Sequence, residues 1–224
     1  MYAHYLTDDE PVHLVDGRRT PTGRLTGVLS EYAATDLGAL CLEAVEDFLD
    51  PRSIDEVILG SVIQAGQGQA PARQALIGAD WSPKIPAVTI NKVCGSGMKA
   101  ILQASESILG GPNSQVVAGG MESMSRAPQL LKGFREGQKM GDSTLKDAAV
   151  HDGLWCSIES EHMGQPAERI AERYDLSREE LDEFALRSHQ RAHEAEEAGY
   201  FESERLTMEE TDVDEPVRPD TSLE

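Results

Sequence analysis

Short apolar runs alternate with amphipathic stretches along the first half of the chain, and this alternation constrains the fold more than any other feature. The runs have the length and residue content of buried strands, and the stretches between them place apolar residues at helical spacing. The predicted strands cover residues 11–15, 56–63, 85–90 and 115–119, and the predicted helices cover residues 35–49, 72–79 and 98–109. Because parallel strands need long crossover connections, we expect an α/β fold in which helices cover both faces of a mostly parallel or mixed sheet.

The character of the sequence changes after about residue 125. Residues 126–160 show little periodicity and contain scattered Gly, Lys and Asp, so we predict a long excursion with short helices. Two longer helices are predicted beyond it, over residues 165–174 and 177–199, and the second opens with the capping-box pattern Ser-Arg-Glu-Glu. We therefore predict two domains, a core over residues 1–125 and a mainly helical unit over residues 126–224.

The chain is strongly acidic, with 40 Asp and Glu against 20 Lys and Arg and a formal net charge of −20. Such a surface repels nucleic acid and anionic lipid, so we expect neither as a partner. It also repels itself unless ions screen it, which favours a halophile with a salty cytoplasm over an ordinary acidic cytosolic protein. The sequence has no apolar run of membrane-spanning length and no signal-peptide pattern at its N-terminus, so we expect a cytoplasmic location.

Three cysteines, Cys41, Cys94 and Cys156, are too few and too widely spaced for a disulfide framework or a zinc site. Cys41 falls among the apolar residues of a predicted helix, and we interpret it as a small core residue. Cys156 is interpreted as a cysteine that serves packing or is present by chance. The acidic residues of the helix from 177 and of the tail 209–224 are interpreted as a solvated face, and no metal site is predicted.

Cys94 lies at the junction between a predicted strand and a predicted helix, within the segment Asn-Lys-Val-Cys-Gly-Ser-Gly. A thiol at the start of a helix meets the positive end of the helix dipole and unpaired N–H groups, which stabilise a thiolate. The same N–H groups can hold an oxyanion on a carbonyl bonded to the sulfur. Gly95 and Gly97 leave room for an approaching acyl group. These features suit nucleophilic catalysis, and the alternative is a buried structural cysteine beside a glycine turn.

The segment from Asn91 to Lys99 resembles the nucleophile motif of the thiolases. Other segments resemble thiolase motifs in the same order along the chain: Asp-Gly-Arg-Arg-Thr-Pro at 16–21, Ala-Gly-Gln-Gly-Gln-Ala-Pro-Ala-Arg-Gln at 65–74, Ala-Gly-Gly-Met-Glu-Ser-Met-Ser at 118–125, Asp-Gly-Leu at 152–154 and Glu-His-Met-Gly at 161–164. The resemblance covers nearly the whole chain. It implies the thiolase-like fold, of which this would be the first of two similar halves with an inserted loop domain.

The resemblance also implies a two-step acyl transfer in which Cys94 is acylated and then passes the acyl group to CoA or to a second CoA thioester. The family uses this chemistry for 3-ketoacyl-CoA thiolysis or for Claisen condensation of acetyl-CoA. The N–H of Cys94 would form part of an oxyanion hole. His162 and Met163 would line the pantetheine and acyl pocket, with Leu154 nearby. Coenzyme A thioesters are then substrates, and no cofactor is expected.

Two further features of the family bear on assembly. The segment 65–74 resembles one at the thiolase dimer interface, and residues 126–150 resemble a tetramerisation loop, so a homo-oligomer is expected. A condensing enzyme of the ketosynthase type shares the architecture, but the His-Met-Gly sequence at 162–164 resembles thiolases instead.

The sequence departs from the family in one large respect. The second half of a thiolase supplies a Gly-His-Pro histidine, an Asn-Glu-Ala-Phe asparagine and a second cysteine in Cys-x-Gly, and none of these motifs occurs here. Since the second cysteine is the expected acid and base, we expect this chain alone to be acylated slowly at most, without turnover. A truncated reading, one subunit of a split enzyme joined by a partner chain, and an inactive relic remain open, as does a non-catalytic structural or interaction subunit.

Overall fold

The computed structural model describes residues 11–223, and within this range a parallel sheet of three strands forms the centre of the fold. The strands are β1 (Glu56–Gly60), β2 (Ala87–Ile90) and β3 (Val116–Gly120), in the order β2-β1-β3. The register runs from Val57 opposite Ala87 to Gly60 opposite Ile90 on one side of β1, and from Glu56 opposite Val116 to Gly60 opposite Gly120 on the other. The thiolase-like α/β fold class is confirmed.

Helices cover both faces of this sheet, as the alternating pattern predicts. They are α1 (Ala34–Ala44), α2 (Pro71–Gly78) and α3 (Ser96–Gly110). Val57 and Leu59 of β1 pack in one core with α1 and α2, whereas Ile58 packs on the other face with Ala100 and Ala104 of α3. This is the two-residue alternation of a strand that is buried on both faces.

The predicted first strand over residues 11–15 is wrong, because no strand forms there and Leu14 and Val15 are each 83% exposed. Its apolar composition suits a strand, but a strand also needs a hydrogen-bonded neighbour, and none is placed beside it within the described residues. The strand predicted over 56–63 ends at Gly60, and α1 ends at Ala44 in a 3₁₀ turn over Val45–Asp47 instead of continuing to residue 49.

Residues 126–160 are also partly mispredicted, since two small antiparallel hairpins accompany the short helical turns. One hairpin pairs β4 (Gln129–Leu131) with β5 (Leu145–Asp147), and the other pairs β6 (Trp155–Cys156) with β7 (Glu161–His162). A π-helical turn over Ala149–Leu154 joins them. The weak periodicity of this region gave no signal for pairings across a long loop. The boundary near residue 125 stays a prediction.

The two helices predicted after residue 160 are present as α4 (Gly164–Arg173) and α5 (Arg178–Glu197). Ser177 caps α5: its Oγ accepts the N–H of Glu180 at 3.2 Å, and the Glu180 carboxylate accepts the N–H of Ser177 at 2.8 Å. The capping box is therefore confirmed.

The tail is not simply a solvated face, because Asp214 belongs to an ion-pair cluster that joins the two ends of the described chain. We call this cluster the clasp; its charged residues are Arg19, Glu196, Glu204, Arg205 and Asp214. The Asp214 carboxylate accepts two hydrogen bonds from Arg19, at 2.7 and 3.0 Å, and one from the N–H of Thr22 at 2.7 Å. Arg205 pairs with both Glu196 and Asp214, and its side chain is only 8% exposed.

The clasp should make folding stability depend on acidity. Burial opposes ionisation of Asp214, but the hydrogen bonds from Arg19 and Thr22 outweigh it and hold the pKa of Asp214 below its ordinary value of 3.8. A carboxyl group with a lowered pKa in the folded state adds stability above its unfolded pKa and loses it as the pH falls through the folded pKa. Asp214→Asn should therefore lower the free energy of unfolding by about 1–3 kcal/mol at pH 7, measured by urea denaturation.

The same variant should approach the wild type in acid, as the pH falls through the lowered pKa of Asp214 and its carboxyl group becomes neutral. Asp50→Asn is a matched control, because Asp50 pairs with the exposed Arg52 at 2.8 Å and should contribute little. An equal loss of stability for Asp214→Asn at both pH values would contradict an electrostatic clasp.

Candidate active site

Cys94 lies between β2 and α3, as the sequence predicts, and its side chain is exposed. Gly95 is the N-cap of α3 and Ser96 is its first residue, so the thiol stands just outside the first turn of the helix. Within residues 11–223, the N–H of Cys94 donates no hydrogen bond to another part of the chain. An unpartnered amide beside an exposed thiol can hold the oxygen of a bound carbonyl.

The turn before Cys94 is strained and held by side chains. Val93 has φ of +49°, a left-handed conformation that is rare for a β-branched residue. Its N–H donates to Oδ1 of Asn91 at 2.8 Å, and its carbonyl accepts the Ser96 hydroxyl at 2.6 Å. Ser96, which is only 4% exposed, also accepts the N–H of Lys92 at 2.8 Å. These bonds offset the strain and fix a sharp bend that leaves Cys94 on the surface.

Glycines let the start of α3 lie directly on the sheet. A Cβ atom on Gly60 would fall 2.6 Å from the carbonyl carbon of Ser96, and one on Gly120 would fall 3.3 Å from the Cα of Gly97. Gly97 faces the end of β3, where a Cβ on it would lie 3.7 Å from the nitrogen of Gly120, an ordinary van der Waals distance. That Gly95 and Gly97 also leave room for an acyl group stays a prediction.

The loop residues predicted for substrate binding lie next to one another. His162 is on β7 opposite Trp155, Leu154 ends the π-helical turn, and the N–H of Met163 donates to the carbonyl of Leu154 at 2.9 Å. Nδ1 of His162 accepts the N–H of Gly164 at 3.2 Å, which assigns the proton of the neutral ring to Nε2. His162 and Met163 are exposed, so this Nε2–H and the thioether face solvent.

The turn that follows β1, which contains Val62 and Ile63, links Cys94 to residues 148–163, which we call the loop region. Nδ2 of Asn91 donates to the carbonyl of Val62 at 3.2 Å, and the Glu122 carboxylate accepts the N–H of Val62 at 2.8 Å. Ile63, only 4% exposed, packs with Ala148 and Ala149. No hydrogen bond joins Cys94 to Leu154, His162 or Met163 among the described residues. The turn therefore connects them by the hydrogen bond of Asn91 on one side and by the apolar packing of Ile63 on the other.

Sequence reasoning missed the roles of Asn91 and Glu122. Both fall inside segments that resemble family motifs, but a motif gives no bonding partner. Both side chains bind the backbone of Val62. Because every residue has the same backbone N–H and carbonyl groups, the sequence does not indicate which one they bind.

The other two cysteines have different surroundings. Burial raises the pKa of the Cys41 thiol, and a hydrogen bond from the Thr20 backbone only partly offsets this. Cys41 is only partly buried, so the structure agrees in part with the small core residue that the sequence predicts. Sγ of Cys156 is half-buried and accepts the N–H of Glu159 at 3.5 Å.

In the part of the chain that the structure describes, no three His, Cys, Asp or Glu side chains are grouped so that they could hold a metal ion. None of the helices between residues 11 and 223 is long and apolar enough to cross a membrane.

The comparisons with known proteins agree with the thiolase-like fold. The family model for the thiolase N-terminal domain matches residues 12–224. The chain is 45% identical over 222 residues to a probable acetyl-CoA acyltransferase of Staphylococcus epidermidis, covering 94% of this chain and 56% of that protein. It is 45% identical over 195 residues to an acetyl-CoA acetyltransferase of Cupriavidus necator, covering 86% of this chain and 50% of that protein. The chain thus spans about half the length of these relatives. It belongs to the thiolase family, whose N-terminal domain it contains.

Proposed function

We propose that this chain supplies the nucleophile of a thiolase-type acyltransferase and that Cys94 forms an acyl-cysteine intermediate. The observation that carries the proposal is the exposed thiol of Cys94 at the start of α3, beside its own unpartnered N–H. Family membership supports it, as do relatives that are named acetyl-CoA acyltransferase and acetyl-CoA acetyltransferase.

In the proposed first step, the Cys94 thiolate attacks the thioester carbonyl of acetyl-CoA. The carbonyl oxygen becomes an oxyanion that the N–H of Cys94 can stabilise. The bond between the carbonyl carbon and the CoA sulfur then breaks, leaving acetyl-Cys94 and a CoA thiolate that takes a proton from solvent. A thiolate is a good leaving group, so this exchange needs no positioned acid.

Cleavage of a 3-ketoacyl-CoA makes a stronger demand on the protein. Cys94 attacks the 3-keto carbonyl, and the bond between C2 and C3 breaks with its electron pair remaining on C2. The resulting carbanion of acetyl-CoA needs a proton from a nearby acid, and the Claisen direction needs the same group as a base. Free CoA then removes the acyl group from Cys94 and completes thiolysis.

We assign the binding of the CoA thioester to the loop region. His162 can donate from Nε2 to a carbonyl of the pantetheine arm, and Met163 and Leu154 offer apolar contact beside it. The short hairpin of β6 and β7 and the hydrogen bond between Met163 and Leu154 hold these groups together.

The acid and the activating histidine of the family's second half are not among these 224 residues, which contain neither a His-Pro nor an Asn-Glu pair. We therefore propose that the 224 residues support one acylation but that turnover requires a segment carrying the missing His and Cys. Such a segment could be part of the same polypeptide or a separate partner chain.

The test is to incubate the 224-residue chain with acetyl-CoA in molar KCl, quench with acid and map acetylated peptides by mass spectrometry. We expect slow addition of one acetyl group at Cys94 and none at Cys41 or Cys156. With acetoacetyl-CoA and free CoA, the enolate absorbance should not decline until a chain carrying the missing His and Cys is added. Absence of acetyl-Cys94 would contradict the proposal and favour a non-catalytic subunit. Turnover by the chain alone would contradict the proton-transfer argument.

We further propose that the protein works in the salty cytoplasm of a halophile and assembles as a homo-oligomer. The net charge of −20 supports the first point, because salt is needed to screen it. The segments 65–74 and 126–150, with their resemblance to family interface segments, support the second. The first point is tested by circular dichroism, which should show loss of structure as KCl is diluted. The second is tested by measuring the mass of the protein in solution.

A further inference from the structure

The main chain of Val62 is held from both sides by polar side chains. Its N–H donates to Oε2 of Glu122 at 2.8 Å, and its carbonyl accepts Nδ2 of Asn91 at 3.2 Å. Glu122 also accepts the N–H of Ile63, at 3.3 Å. We call this arrangement, formed by Asn91, Val62 and Glu122, the Val62 clamp.

Glu122 has an unusual environment for a carboxylate. It is half-buried, and no Lys, Arg or His in residues 11–223 forms an ion pair with it. Its hydrogen bonds go to two successive backbone N–H groups, so the charge is stabilised by main-chain donors. A side chain used in this way orders the turn after β1.

The clamp connects that ordered turn to the strained turn before Cys94. Asn91 uses Nδ2 for Val62 and Oδ1 for the N–H of Val93, whose φ is +49°. If the bond to Val62 is lost, Asn91 can turn away and Val93 can relax toward negative φ, which would move Cys94 relative to the start of α3.

On its other side the clamp reaches the loop region. Ile63 packs with Ala148 and Ala149, and a Cβ on Gly153 would lie 3.6 Å from its Cδ1. Gly153 immediately precedes Leu154, whose carbonyl binds the N–H of Met163. The same turn therefore supports both the thiol and the loop proposed to bind the thioester.

We propose that Asn91 and Glu122 are positioning residues that act together through Val62. They hold the Cys94 thiol at the start of α3 and in a fixed position relative to the loop region. This deepens the proposed function and rests on it for its role in acyl transfer. The positioning of the thiol itself is a property of the fold and can be measured without any CoA substrate.

The experiment measures alkylation of each cysteine in the 224-residue chain by iodoacetamide, at one pH and in molar KCl, with peptide mapping. Glu122→Ala is compared with Glu122→Gln, because both remove the charge and only Gln keeps an acceptor oxygen for the N–H of Val62. Asn91→Ala is compared with the wild type. Asn113→Ala is the matched control, since Asn113 also makes two side-chain bonds, at 3.0 and 2.7 Å, to Glu56 and Ser107.

We expect Asn91→Ala to slow alkylation of Cys94 about three- to tenfold, and Glu122→Ala to slow it by a similar factor relative to Glu122→Gln. Cys41 should react at the wild-type rate, and Asn113→Ala should leave Cys94 unchanged. Because both residues act through Val62, the double variant with Asn91→Ala and Glu122→Ala should be no slower than the slower single variant.

Three results would overturn the proposal. The first is a Cys94 alkylation rate within twofold of the wild type in Asn91→Ala and within twofold of Glu122→Gln in Glu122→Ala. The second is that the two single effects multiply in the double variant, and the third is faster alkylation of Cys41 together with any change at Cys94. The last result would show general loosening of the fold. Acetylation by acetyl-CoA is measured in parallel. If wild-type Cys94 accepts no acetyl group, the proposed function fails, while the alkylation rates still decide whether the clamp positions the thiol.

Discussion

The Cys94→Ala variant is expected to accept no acetyl group from acetyl-CoA. The proposed intermediate is a bond to Sγ, and without that atom the first step has no nucleophile, however well the thioester binds. Acetyl incorporation, measured by peptide mapping after an acid quench, should fall at least about 100-fold, to the level of non-specific labelling. Cys94→Ser should fall nearly as far, because a serine hydroxyl is far less ionised than a thiol at neutral pH.

The comparison variants are Cys41→Ala and Cys156→Ala. Cys41 has a raised pKa through burial, and Cys156 is half-buried. Neither side chain stands at the start of a helix, so both variants should acetylate Cys94 as the wild type does. If acetylation persists in Cys94→Ala and moves to Cys156, the nucleophile would have to be reassigned to the loop region.

Local chemistry explains which parts of the fold could be predicted from the sequence. The start of α5 is set by the Ser177 box, and α2, α3 and α4 fall within two residues of their predicted bounds. The position of Cys94 follows in the same way, because a strand, a glycine turn and a helix are encoded within a few neighbouring residues. The pocket role predicted for His162, Met163 and Leu154 came only from the family resemblance.

Pairings between distant residues could not be predicted. Arg19 and Asp214 are 195 residues apart, and nothing in either segment indicates the other. The strand predicted at 11–15 failed for the complementary reason: its own composition was suitable, but no neighbouring strand lies beside it within residues 11–223. The Val62 clamp combines both difficulties, because its central groups are a main-chain N–H and carbonyl.

The Gly60→Ala variant tests the packing on which the Cys94 site depends, and we expect a loss of about 3 kcal/mol in the free energy of unfolding. The added Cβ would lie 2.6 Å from the carbonyl carbon of Ser96 and 2.8 Å from the nitrogen of Gly97. Both are backbone atoms at the start of α3, so no side chain can rotate away to relieve the overlap. The helix must shift from β1, which also disturbs the hydrogen bonds of Ser96 that hold the strained turn.

Gly110→Ala provides the matched control, because Gly110 ends the same helix and a Cβ there would have no heavy atom within 4 Å. Alanine favours a helix over glycine by up to about 1 kcal/mol, so this variant should be neutral or slightly more stable. Urea denaturation of both variants in molar KCl gives the comparison. If Gly60→Ala is as stable as Gly110→Ala, α3 cannot lie against β1 at this point, and the geometry that exposes Cys94 would need another explanation.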